Sequence, residues 1–261
     1  MKKSLGINIF TLLILSFPLL VQAQLETQAV TIDDLMALES VSSPQVSPDG
    51  EWVAYVVRSR NMEEDKSNSQ IFMVSIAGGD SIPMTAKDTS ASDPQWSPDG
   101  KYLSFKASKG EEAKTQIWTL NRMGGEAVQL TDVLQGVGNY AWSPDSSKLL
   151  LTLIDPKPYD LTEDKEDDDK AVPYVIDRMQ FKRDYSGYLD RRRTHVYVVA
   201  PGAKAPTQLT FDDFDDSDPV WSPDSRSIAF VSDRSDDPDL NYGTDIFVVN
   251  VDDQEPTITQ I

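Results

Sequence analysis

A chain of 261 residues with 43 acidic and 24 basic side chains carries a formal charge of −19 and has no cysteine. Such a surface repels nucleic acid and anionic membranes. Without thiols, a disulfide framework, a thiolate metal site and a lipidated-cysteine anchor are all excluded. The only histidine, His195, rules out a His-rich zinc site, and no cofactor is expected.

In chain order, the first element is a basic start, Met1-Lys2-Lys3, followed by the apolar run "IFTLLILSFPLLV" and Ala23. This pattern predicts a secretory leader over residues 1–23, cleaved after Ala23. The run is too short to cross a bilayer comfortably, and no other stretch is long enough. Cleavage would remove two lysines and move the charge from −19 to −21. The mature chain is expected in the periplasm or outside the cell, free of the membrane. Residues 24–44 read as a leading segment, in which "TIDDLMALES" (31–40) predicts a short helix with Thr31 as N-cap and Asp34 three residues on.

From residue 45 to 261 the chain repeats itself. "VSPDG" (46–50), "WSPDG" (96–100), "WSPDS" (142–146) and "WSPDS" (221–225) are each followed by a β-type run centred on an aromatic: Phe72, Trp118, Tyr197 and Phe247. In the first three repeats a threonine (Thr85, Thr131, Thr210) stands 13 residues beyond the aromatic, and the next SPD serine stands 12 beyond that. The variable spacing lies between SPD and the aromatic, at 25, 21, 54 and 25 residues. In the SPD turn, Ser opens a type I turn, Pro presets the second position and Gly closes it. Around each turn the residues predict four short antiparallel strands per about 45 residues, one blade of an all-β propeller. Trp96, Trp142 and Trp221 are expected between blades. The fourth repeat departs from the pattern, with Gln260 where threonine is due, and reads as a blade that breaks off.

The third repeat holds an insert at about 155–194. It begins as an acidic, proline-broken run and continues as "AVPYVIDRMQFKRDYSGYLDRRRTH" (171–195), where cations alternate with aromatics. Long inserts in repeat proteins gather on a binding face. Arg178, Lys182 and Arg183 are therefore candidate contacts for a carboxylate; the alternative is that these cations neutralise the acidic loop at 163–169. Catalytic machinery is not visible. There is no G-x-S-x-G elbow, no base is placed to serve a serine, and no glycine loop cradles a phosphate. Of the acidic runs at 212–218 and 233–245, the second carries Pro238 where a calcium hand needs glycine and lacks its final glutamate, and both read as solvated loops.

The repeats "QWSPDGKYLSFKAS … QIWTL … GGEAVQLT", the opening "TIDDLMALESVSSPQVSPDGEWVAYVV" and the insert "VIDRMQFKRDYSGYLDRRRTHVYVV" resemble the N-terminal part of exported bacterial prolyl oligopeptidase-family peptidases, in the acylaminoacyl-peptidase/dipeptidyl-peptidase branch. The blades alone also look like TolB-type repeats. The resemblance implies a propeller of seven or eight blades that restricts entry of short peptides to an α/β-hydrolase domain with a Ser-Asp-His triad. About four blades are present, and no triad residue can be carried over. The chain is thus expected to be inactive alone, with a C-terminal hydrolase domain and short peptides as partners. The other reading is a stand-alone, non-catalytic propeller that binds a protein partner.

Overall fold

The computed structural model describes residues 29–87, 89–109, 114–157, 176, 178–185, 187–203, 205–240 and 243–261. The leader at 1–23 and the acidic loop at 163–169 lie outside the described residues. Helix α1 (Ile32–Ala37) opens on a capping box: Thr31 Oγ1 accepts from the Asp34 N–H at 3.1 Å, and the Asp34 carboxylate accepts from the Thr31 N–H at 2.9 Å.

Four antiparallel four-stranded sheets follow. Blade one is β1 (Ser40–Val46), β2 (Trp52–Asn61), β3 (Lys66–Ser75) and β4 (Ile82–Pro83). Blade two is β5 (Ala91–Trp96), β6 (Tyr102–Ala107), β7 (Gln116–Asn121) and β8 (Val128–Gln129). Blade three begins with β9 (Tyr140–Trp142) and β10 (Leu149–Ile154). The hairpin β11 (Lys182–Arg183) and β12 (Gly187–Tyr188) then intervenes before β13 (Thr194–Val199) and β14 (Thr207–Gln208) complete the blade. Blade four is β15 (Asp216–Trp221), β16 (Ser227–Ser232), β17 (Asp245–Asn250) and β18 (Ile258–Gln260). The architecture is the all-β propeller that the repeat predicts.

Blade four is not broken off, which corrects the sequence reading. Gln260 stands opposite Phe247 as Gln208 stands opposite Tyr197 and Gln129 opposite Trp118. The connection before β18 is longer by two residues, so the outer strand forms with its register displaced along the sequence.

The SPD turn works through side chains as well as backbone. In all four copies the serine hydroxyl donates to the aspartate two residues on, at 2.6–2.7 Å. The same hydroxyl accepts the N–H five residues on (Trp52, Tyr102, Lys148, Ser227), pinning the start of the second strand. The fourth turn position has positive φ, +72° at Gly50 and Gly100 and 62° at Ser146 and Ser225. Both serines reach across a seam: Ser146 Oγ accepts from Asp99 N–H at 3.0 Å and Ser225 Oγ from Asp145 N–H at 3.1 Å.

The "QLT" endings are equally specific. Thr85, Thr131 and Thr210 each accept, through Oγ1, the N–H of Ile71, Ile117 and Val196 at 2.9–3.0 Å, tying the outer strand back to the third strand. Ser43, Asp93 and Asp218, each before a proline, adopt φ of 52°, 53° and 48° within bulges of β1, β5 and β15.

The cores lie at the seams between blades. Ala54, Ile71 and Met73 of blade one meet Trp96, Leu103 and Phe105 of blade two. Ile117 of blade two meets Trp142, Leu149 and Leu151 of blade three, whose other face packs Leu150, Val196 and Val198 on Ile228, Phe230 and Val249 of blade four. Strand β10 is therefore apolar on both faces, which is why "LLLTLI" does not alternate. The tryptophan before an SPD turn sends its indole N–H back to the preceding blade: Trp96 to Gln45 O at 3.1 Å and Trp221 to Ala141 O at 3.2 Å. Trp142 instead donates to Ser104 Oγ at 2.8 Å, and Ser104 hands the bond on to Gln95 O at 3.0 Å.

Candidate functional site

The insert leaves blade three after Ile154 and returns at Thr194, and its two ends are bonded to each other. Asp155 N–H donates to Arg193 O at 2.8 Å and Arg193 N–H to Asp155 Oδ2 at 2.9 Å. Beside this stem lies a cleft of about 370 Å³ shared with blade two, bordered on the insert side by Ile154 and Thr194.

Blade four and the connection leading into it supply the footing. Arg193 splits its guanidinium between Asp213 (2.7 Å) and Asp215 (3.1 Å), while Thr194 N–H donates to Asp215 at 2.9 Å. The Arg193 guanidinium holds the Asp213 carboxyl below the usual carboxylate range. In the connection between β16 and β17, Asp239 accepts the successive N–H groups of Met179 and Gln180, and those two bonds lower its pKa. Both ends of the hairpin segment are thereby held by aspartates of the next blade and of the connection leading into it.

Under the stem sits a buried polar cluster. His195, 3% exposed, lies between two aspartates, with Nε2 3.5 Å from Asp155 and Nδ1 3.6 Å from Asp216. Asp216 is fully buried and takes a 2.9 Å bond from Arg234, whose guanidinium lies 5.1–5.5 Å from the Phe214, Phe230 and Phe247 rings. Burial pushes the Asp216 carboxyl up, but the nearby His195, Thr210, Arg234 and Ser232 together hold it below its ordinary value.

The three candidate contact residues share this hairpin but differ in what they do there. Arg178 is engaged at its base, donating to the Asp190 carbonyl. Lys182 and Arg183 form β11 and are exposed; the Lys182 ammonium lies 5.8 Å from the Tyr188 ring, which stacks on Phe181 at 6.4 Å. Of the other cations of the insert, Arg192 pairs with Asp190 inside the insert at 2.6 Å, and Arg193 serves the footing as above.

The sequence reading missed Asp155, Asp216, Arg234 and Asp239. Asp216 and Asp239 fall in acidic runs that look solvated, yet one is buried and the other captures backbone. The usable signal was position: Asp216 opens the first strand of the blade that follows the strand of the only histidine.

No family model matches the chain. Over 221 residues, 84% of the chain, it is 30% identical to the uncharacterized peptidase YuxL of Bacillus subtilis, of which it covers 34%. The chain thus spans about a third of the length of that curated relative. An acylaminoacyl peptidase solved in complex with Z-Gly-Gly-Phe-chloromethyl ketone matches with a TM-score of 0.65 at 22% identity, over 86% of this chain and 33% of that one. The β-propeller domain of the Trilobed protease from Pyrococcus furiosus matches at 0.54 and 16% identity, over 85% of this chain and 57% of that one. The homologue is a peptidase, and the fold is that of peptidase propellers.

Proposed function

We propose that this chain, the propeller part of a prolyl oligopeptidase-type peptidase, is the gating and substrate-positioning region of an exported enzyme that hydrolyses short peptides. The carrying observation is the alignment to a peptidase that covers 84% of this chain and only 34% of the relative. The hydrolytic serine then belongs to an α/β-hydrolase domain of a longer polypeptide, and this chain restricts and orients what reaches it. Lys182 and Arg183, exposed on a hairpin in a chain of charge −19, meet the substrate carboxylate, while Arg178 braces the hairpin through Asp190.

A fluorophosphonate probe tests the reading. It should leave this chain unlabelled and label one serine in the longer polypeptide. In that polypeptide, changing Arg178, Lys182 and Arg183 to Ala should raise KM about tenfold for peptides with a free or acidic carboxylate, a loss of about 1.4 kcal/mol. Neutral amide substrates should be spared. The Lys182→Ala/Arg183→Ala pair separates contact from bracing, because Arg178 also supports the hairpin. Equal effects on both substrate classes would end the carboxylate assignment, and stoichiometric labelling of this chain would end the domain assignment.

A further inference from the structure

Positive backbone φ is costly for a residue with a bulky side chain, and short polar residues tolerate it best. Among the described residues, the non-glycine positions with positive φ are Ser43, Asp65, Asp93, Ser146, Asp212, Asp218, Ser225 and Tyr185. All but one are Ser or Asp. Tyr185, at φ 64°, is the exception. It lies in the turn that joins Arg183 to Gly187, across which β11 and β12 pair. Gly187, which opens β12, also has positive φ (77°) and carries no such cost.

Tyr185 is also wholly exposed, at 110% of the reference area. No burial offsets the strain, so local stability does not account for an aromatic here. A strained residue kept in the open is a pointer to a contact. Its setting agrees. The hairpin is held at its base by Asp239 and at its return by Arg193 on Asp213 and Asp215, so the tip is presented from a fixed stem. Next to the tip are the cations Lys182 and Arg183, and Tyr188 and Met179 add exposed apolar surface on the same hairpin.

We infer that Tyr185 is a specificity-determining contact residue that packs on an apolar or aromatic side chain of a bound peptide, next to a carboxylate met by Lys182 and Arg183. The inference rests on the reading of this chain as a peptide-positioning propeller, and it adds the side-chain class that the site selects. Tyrosine suits the task, offering a large flat surface with few rotors to order.

The test is equilibrium binding of a dansyl-labelled Ala-Ala-Phe peptide with a free carboxylate to the purified chain, followed by fluorescence anisotropy, alongside thermal melts. Tyr185→Asn should weaken binding about fivefold while leaving Tm unchanged or higher, because Asn tolerates positive φ. Tyr185→Phe should bind within about twofold of the parent, and a peptide ending in Ala should respond little to either change. Binding of Tyr185→Asn at parental affinity, or no saturable binding by the parent, would overturn the inference. So would an equal effect on the Ala-ending peptide, or a parallel loss of Tm, which would make Tyr185 structural; a Tyr185→Asn effect confined to docking of the hydrolase domain in the longer polypeptide would assign it to that interface instead. Hydrolysis by the longer polypeptide is a separate readout, so absence of peptidase activity there would count against the proposed function and not be confused with a failure of this contact.

Discussion

At the residue scale, the SPD turn links sequence to acid sensitivity. The Ser47, Ser97 and Ser143 hydroxyls, with neighbouring N–H groups and cations, hold Asp49, Asp99 and Asp145 down to about 2, and Asp224 is lowered by the same contacts. A carboxyl whose folded pKa lies below its unfolded value stabilises the fold at pH above the unfolded value, and that stabilisation is lost as pH falls through the folded one. From this set, Tm should hold above about pH 5 and fall as pH drops from the ordinary 3.8 towards about 2. Asp99→Asn combined with Asp145→Asn should lower Tm at neutral pH and shrink that acid-induced fall, read by melts across the range. The turn type was legible because Ser, Pro, Asp and Gly each have one preferred place in it. The left-handed bulges at Ser43, Asp93 and Asp218 were not, because a residue before proline is ordinarily read as extended.

Two turns end in Gly and two in Ser, and the serines make a bond across the seam between blades. Gly100 has a free left-handed position, whereas Ser146 accepts the same backbone strain and returns a hydroxyl to Asp99 N–H in the preceding blade. Ser146→Gly should therefore be near neutral, losing about 1 kcal/mol of hydrogen bond and regaining about as much from the backbone. Ser146→Ala loses the bond and keeps the strain, and should cost about 1–2 kcal/mol in urea denaturation. Equal costs for the two variants would contradict the trade. Element existence was legible here because periodicity and turns agree. The insert's footing was not, since Arg193 meets Asp213 and Asp215, and Met179 and Gln180 meet Asp239, only after blades three and four pack, and local sequence carries no trace of that pairing.

Across the whole molecule, the blades differ in what covers them. Trp96 and Trp142 sit at 8% and 9% exposure in inner strands covered by a preceding blade, whereas their counterpart Val46 is 57% exposed and Val41 67%. Blade four likewise leaves Val220 and Ile246 at 59% and 50%. Exposed sheet faces of this kind associate. The purified chain should self-associate with rising concentration in sedimentation velocity, and Val41→Lys with Val46→Lys should weaken it; a strictly monomeric chain at high concentration would count against this. The 54 residues between Ser143 and Tyr197, against 21–25 in the other blades, also set an order of events. Three blades close by short local hairpins, while β10 must find β13 across the insert, and doubling a loop adds about 0.6 kcal/mol of closure entropy. Blade three is thus the slow step of its own repeat and also the platform on which blade four must dock. A chain emerging N-terminus first would complete the pairing of blades one and two early. It would then wait, with the apolar strand β10 uncovered, until the far side of the insert arrived. That interval is when the chain is most open to misassembly or capture by a chaperone.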